Sequence, residues 1–168
     1  MKAIVYTSKT EHTAEYANLL GEKFSLPVFP LKDALANLDS DTPIIYLGWI
    51  FANHIKGYKK ANKKFKISAI CAVGLCDTGT SVEVTRQKNS VPSATPLFTM
   101  QGGIDKTKLS GINKMMINML KKGLSSKSDR SEDEERMLYL LSNDNNYVSD
   151  ENTKEFSEWY NEQIKNTL

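Results

Sequence analysis

The stretch Thr7-Ser8-Lys9-Thr10-Glu11-His12-Thr13 gathers four hydroxyls, an ammonium and an imidazole between a short apolar run, Ala3-Ile4-Val5-Tyr6, and a segment with helical spacing. A strand that turns into a helix through such a loop presents backbone N–H groups and the positive end of the helix dipole to an anion. The hydroxyls of Ser8, Thr10 and Thr13 can then surround a phosphate monoester, with Lys9 adding charge from outside. An N-cap role for Thr10 or Thr13 explains one hydroxyl and leaves the others unexplained. No Gly-x-x-x-x-Gly-Lys and no Gly-x-Gly-x-x-Gly follows the first apolar run, so the loop suits a mononucleotide better than ATP or NAD.

Two further loops could complete a site. Gly48-Trp49-Ile50-Phe51-Ala52-Asn53-His54 places two aromatics directly after a central strand, where Trp49 or Phe51 could cover a flat heteroaromatic ring. The plainer reading packs both rings under the following helix. Leu75-Cys76-Asp77-Thr78-Gly79 ends the next strand beside them. Cys76 there could touch a ring ligand, although a small residue at a strand end more often packs; Cys71, inside the strand, reads as core. His12 could contact the phosphate or simply be exposed.

The elements that must position these loops follow from apolar periodicity. Ala3 to Tyr6, Pro43 to Gly48, Ile67 to Leu75 and Thr95 to Met100 read as buried strands, and Leu26 to Leu31, broken by Pro27 and Pro30, as an edge strand. Helical spacing runs from Thr13 to Phe24, about Ile55 to Phe65, Ser81 to Lys88 and Leu109 to Gly123, with one turn at Ala34 to Leu38. The methionines 115, 116 and 119 follow that spacing and read as core. Ser125 to Asp133 reads as a solvated loop, Met137 to Leu141 as a short helix, Asn143 to Asn146 as a turn and Phe156 to Ile164 as a terminal helix. Strands alternating with helices require long crossovers, which gives an α/β, doubly wound, parallel sheet with helices on both faces. In such sheets ligands bind outside the carboxyl ends of the strands, where the order reverses.

Composition sets outer bounds. The chain has 168 residues, 40% hydrophobic and 25% charged, with a formal net charge of +2, so disorder, a fibrous repeat and nucleic-acid binding are poor readings. Two cysteines and two histidines offer no zinc-ligand spacing and no disulfide framework. No apolar run reaches the roughly 20 residues of a membrane span, and no signal segment precedes the first strand, which points to a cytoplasmic protein. The small net charge hides two opposed regions. Six lysines and no acid lie between Asp41 and Asp77, whereas Asp129 to Glu158 carries ten acids against three bases. The lysine run is either the solvated face of a helix or a docking surface for an acidic partner. The acids Glu132 to Glu135 open a short helix, where negative charge suits the dipole.

Taken in order, these loops and strands resemble the flavodoxin family. The family's phosphate loop reads Thr/Ser-x-Thr-Gly-x-Thr, and Ser8, Thr10 and Thr13 match it. Within the family the chain looks most like the branch containing the menaquinone-dependent protoporphyrinogen oxidases, on Ser8 to Ala17, on Ile45 to Gly48 with its aromatic loop, and on the long helix Leu109 to Lys122. The resemblance covers nearly the whole chain. It implies a three-layer sandwich around a five-stranded parallel sheet of order 2-1-3-4-5, with a helical extension from about residue 124. It further implies noncovalent FMN, its phosphate held by Ser8, Thr10, Thr13 and the backbone of residues 9 to 12 (Lys9, Glu11 and His12 included). Residues 48 to 53 (Gly48, Trp49, Ile50, Phe51, Ala52 and Asn53) and 75 to 79 (Leu75, Cys76, Asp77, Thr78 and Gly79) would flank the ring. The implied partners are a redox protein or a small quinone-type acceptor, with weak peripheral membrane contact by the long helix and no integral segment.

The chain departs from the family at one position, where Glu11 replaces the loop glycine. A carboxylate about 7 Å from a phosphate costs on the order of 2 kcal/mol per phosphate charge at an effective dielectric near 20. Glutamate also adopts glycine's backbone angles poorly. Two readings therefore follow: an FMN-dependent electron carrier or oxidoreductase, and a flavodoxin-fold binding module that has lost FMN.

Overall fold

In the computed structural model, which describes residues 1–166, the apolar runs become strands with two-residue alternation, interrupted in β5 by a bulge between Ile67 and Ala69. They are β1 (Ala3–Thr7), β2 (Val28–Pro30), β3 (Pro43–Phe51), the two-residue β4 (His54–Ile55), β5 (Lys66–Gly74) and β6 (Leu97–Gln101). One set of side chains, Ala3, Val5, Ile44, Tyr46, Ile70, Ala72 and Leu97, enters one apolar cluster; Ile4, Ile45, Leu47, Ala69, Cys71, Val73, Phe98 and Met100 enter the other. Both faces are thus buried, as the continuous apolar runs require.

The sheet order is β2-β1-β3-β5-β6, all parallel, with β4 paired antiparallel to β3. The sheet therefore has six strands and not the expected five. The extra strand arises because Gly48 does not end β3: the strand continues to Phe51 and turns back through Ala52 and Asn53, both at positive φ, as a two-residue hairpin turn demands. Pro30 sits on edge strand β2, where its missing donor faces no partner strand. The free edge of β6 is covered by residues 78–80: Gly79 N–H donates to Thr99 O, Gln101 N–H to Thr78 Oγ1, and Thr99 Oγ1 to Thr80 O.

On one face lie α1 (His12–Phe24) and, at the far end of the chain, α7 (Lys154–Lys165); on the other lie α2 (Leu31–Asn37), α3 (Tyr58–Lys64) and α4 (Val82–Asn89). Between β6 and α7 the chain inserts β7 (Gly103–Ile104), α5 (Gly111–Ser125), α6 (Glu132–Ser142), β8 (Asn145–Asn146) and a 3-10 turn, Glu151–Thr153. The expected turn at Asn143 to Asn146 is in part strand β8, paired with β7. Ser131 and Glu134 form a reciprocal capping box that starts α6 before the first apolar residue, and the four acids 132–135 occupy its first turn.

Two helices exchange the roles that their sequences suggest. No residue of α5 is buried: Ile112, Met115 and Met119 are 69%, 56% and 65% exposed, which corrects the reading of its methionines as core. The α1 face of the sheet is instead completed by α7, within the segment expected to be an extension. Phe156 is fully buried and packs edge-on to Phe98 and Phe24, with Tyr160 stacked at 4.1 Å on Phe24. A helix rich in aliphatics covers less sheet than one carrying three large rings on a single face.

Candidate functional site

The loop after β1 begins on a buried polar anchor. Tyr46 Oη lies 2.6 Å from Lys56 O and 2.8 Å from Thr7 Oγ1. A carbonyl only accepts, so the phenol donates to Lys56 O and the Thr7 hydroxyl donates to the phenol. Burial raises the Tyr46 pKa far above its ordinary value, so it stays a donor. Next, the Ser8 hydroxyl is buried with no hydrogen-bond partner. Thr10 Oγ1 lies 3.1 Å from His12 Nδ1. Neither Thr10 nor Thr13 caps α1; the N-cap position is Glu11, and its side chain caps nothing, so the first-turn N–H groups keep no side-chain acceptor.

Glu11 adopts the left-handed conformation, φ 73°, that a glycine would take there without strain. Its carboxylate leaves the loop and pairs with Lys108, which also lies 3.7 Å from Asp105. Both partners are exposed, so the pair directs the side chain more than it stabilises the fold.

His12 is 6% exposed, and its ring also hydrogen-bonds the Asn145 backbone. Burial holds its pKa below the ordinary 6.5, outweighing the raising effects of Glu15 and Asp105. A histidine whose folded pKa is depressed binds fewer protons than the unfolded chain. Its contribution to stability is complete above pH 6.5 and is lost as the pH falls toward the folded value. Urea midpoints taken between pH 7.5 and 5 are expected to decline, with a shallower slope in His12→Gln.

Beside the loop, at the carboxyl ends of β3, β5 and β6, lies an apolar cavity of about 390 Å³. The β3–β4 hairpin forms one wall: Trp49 and Phe51 stand edge to face at 6.1 Å, with Lys56 Nζ 5.7 and 5.5 Å from the two rings. Ile50, Ala52 and Asn53 line it as well, and Lys9 and Thr10 reach it from the loop after β1. Asn89, almost fully buried, fixes the hairpin by donating to Asn53 O at 2.7 Å and accepting from Ile55 N–H at 2.9 Å.

Leu75, Cys76 and Asp77 form the opposite side. Partial desolvation, reinforced by Asp77, raises the pKa of the exposed Cys76 thiol. The lid comes from the insertion: Leu109, Ile117, Leu120 and Leu124 from α5 and its approach, with Met137 and Leu141 from α6. Arg136 of α6 pairs with Asp77, as Lys108 does with Glu11, so the lid is clasped to two of the three loops.

Of the residues singled out by sequence, the cavity gathers ten, from Lys9 and Thr10, through 49–53, to 75–77. Ser8 and Glu11 line a neighbouring groove. His12 and Thr13 are buried at the start of α1. Gly48 lies inside β3, where a Cβ would stand 2.5 Å from the Ile55 side chain and 2.8 Å from Lys56 O; it lets the hairpin close and does not reach the cavity. Thr78 and Gly79 cover the β6 edge. Sequence reasoning missed the lid residues Leu109, Ile117, Leu120, Leu124, Met137 and Leu141 as part of the site.

A comparison of the chain with family models, curated proteins and solved structures gives no match.

Proposed function

We propose that the protein is a flavodoxin-like FMN-binding protein that carries electrons or performs flavin-dependent oxidoreduction. One observation carries the reading: an aromatic-walled apolar cavity opens at the carboxyl ends of β3 and β5, beside the hydroxyl-rich loop after β1. There the neighbours of β1 change direction, the switch point at which open α/β sheets bind ligands.

The residues present fit that cofactor. The volume lies in the range of small-molecule pockets, the walls are apolar, and a buried Ser8 hydroxyl lacks a partner at the root of the loop. Ser8, Thr10, Thr13 and the backbone of residues 9–12 would hold the phosphate, and Trp49, Phe51 and Leu75 to Asp77 would flank the ring. FMN supplies one- and two-electron redox chemistry when bound. The chain's own part is to exclude water with the α5–α6 lid and to keep carboxylates away, since Glu11 is drawn off by Lys108. The electron acceptor would be a partner protein or a quinone-type molecule; protoporphyrinogen-like substrates belong to the same reading. No helix among the described residues is long and apolar enough to cross a membrane.

The purified protein is expected to be yellow or to take up added FMN with quenched flavin fluorescence. A colourless protein that ignores FMN would sink the proposal. Ser8→Ala with Thr10→Ala is expected to weaken FMN about tenfold or more, two lost hydrogen bonds to a charged group, with an unchanged circular dichroism spectrum.

The left-handed Glu11 favours a second reading, a binding module that has given up FMN. Glu11→Gly separates the two. It removes the carboxylate that neutralises Lys108 beside the loop, leaving that ammonium free, and relieves roughly 1 kcal/mol of strain, offset by the added freedom of the unfolded chain. FMN affinity is expected to rise severalfold while stability moves by less than about 1 kcal/mol. Were FMN ignored by both wild type and Glu11→Gly, the module reading would stand.

A further inference from the structure

Besides the apolar cavity, an open groove of about 770 Å³ lies on the β2 side of the loop after β1. It shares only Lys9 with the cavity. Three lysines from three separate elements converge on it: Lys9 of the loop, Lys32 at the start of α2 and Lys60 of α3. None of the three has an ion pair or a side-chain hydrogen bond among the described residues. Both acids on the rim are turned to other partners, Glu11 to Lys108 and Glu15 to Asn146 Nδ2 at 2.9 Å. Tyr6, Leu31 and Leu35 give the groove an apolar wall.

Three unpaired cations around one concavity repel one another, an arrangement that an anionic ligand relieves. We propose that this groove is a second ligand site, for a phosphate-bearing organic anion of nucleotide size. Lys9, Lys32 and Lys60 hold its phosphates, and the Tyr6–Leu31–Leu35 wall covers its apolar part. The site is separate from the cavity and stands whether or not the cavity takes FMN.

Titration calorimetry of the full chain with ADP at about 150 mM salt, where exposed charges are screened beyond about 8 Å, tests this. Saturable binding is expected. Lys32→Gln and Lys60→Gln should each weaken it about threefold or more, and the double variant about tenfold, whereas Lys63→Gln and Lys88→Gln, exposed lysines outside the groove, should not. ADP should also bind alongside saturating FMN. Absence of saturable binding, equal losses in the control variants, or displacement of ADP by FMN would each overturn the assignment. A colourless protein that ignores added FMN but still binds ADP through Lys32 and Lys60 would refute the FMN reading and leave this one intact.

Discussion

Replacing Phe156 with alanine is expected to destabilise the protein by about 3–5 kcal/mol, the range for deleting a fully buried aromatic side chain. In a chain of this length that lowers the thermal midpoint by about 6–20 °C, readable by circular dichroism. The ring is fully buried and meets Phe24, Phe98, Trp159 and Tyr160. Those contacts join α1, β6 and α7, so the cavity left behind cannot collapse from one side. Met119→Ala is the paired measurement. Its side chain is mostly solvated, and the change is expected to stay within about 0.5 kcal/mol. A large loss at Met119 with a small one at Phe156 would place α5, and not α7, against the sheet.

The second large effect is expected from Gly57→Ala, at about 4–6 kcal/mol. Gly57 has φ 81°, so any side chain there carries roughly 1 kcal/mol or more of backbone strain. Its Cβ would also strike Tyr46 Oη and Thr7 Oγ1 and stand 3.0 Å from Leu31 Cδ2. Overpacking of this kind costs about 1–3 kcal/mol, and displacing the phenol breaks its bonds to Lys56 O and Thr7 at about 1 kcal/mol each. Gly79→Ala provides the comparison: φ is 80° but the space is open, so only the backbone part, about 1 kcal/mol, is expected. Urea denaturation of both variants checks the difference; equal losses would show that the clash at Gly57 relaxes freely. Because Thr7 opens the hydroxyl-rich loop, Gly57→Ala should also perturb the amide resonances of Ser8 to Thr10, whereas Gly79→Ala should not.

Legibility in the sequence followed the range of the forces involved. The alternation within β1, β3 and β5, the spacing of Tyr16, Ala17 and Leu20, and the Ser131–Glu134 cap are local, so composition and period sufficed to find them. The β3–β4 hairpin was less visible. Ala52-Asn53 lacks the glycine that usually marks such a turn, and the buried Asn89, 36 residues away, holds it in place. The candidate cavity was legible as three loops. Its lid was hidden, because the apolar positions of α5 look the same whether they meet a sheet, a cavity or water.

By itself the sequence determined the alternating elements, the two-sided burial of the strands, the hydroxyl-rich loop and the carboxylate of Glu11 within it, all features set by neighbours within a few residues. Tertiary structure alone decided which late helix completes the sheet, that Glu11 takes a glycine's conformation while its charge is led away by Lys108, and that three lysines scattered over 52 positions meet in one groove. Each depends on surfaces brought together from distant parts of the chain, where shape and charge complementarity choose among partners that local propensity leaves equivalent.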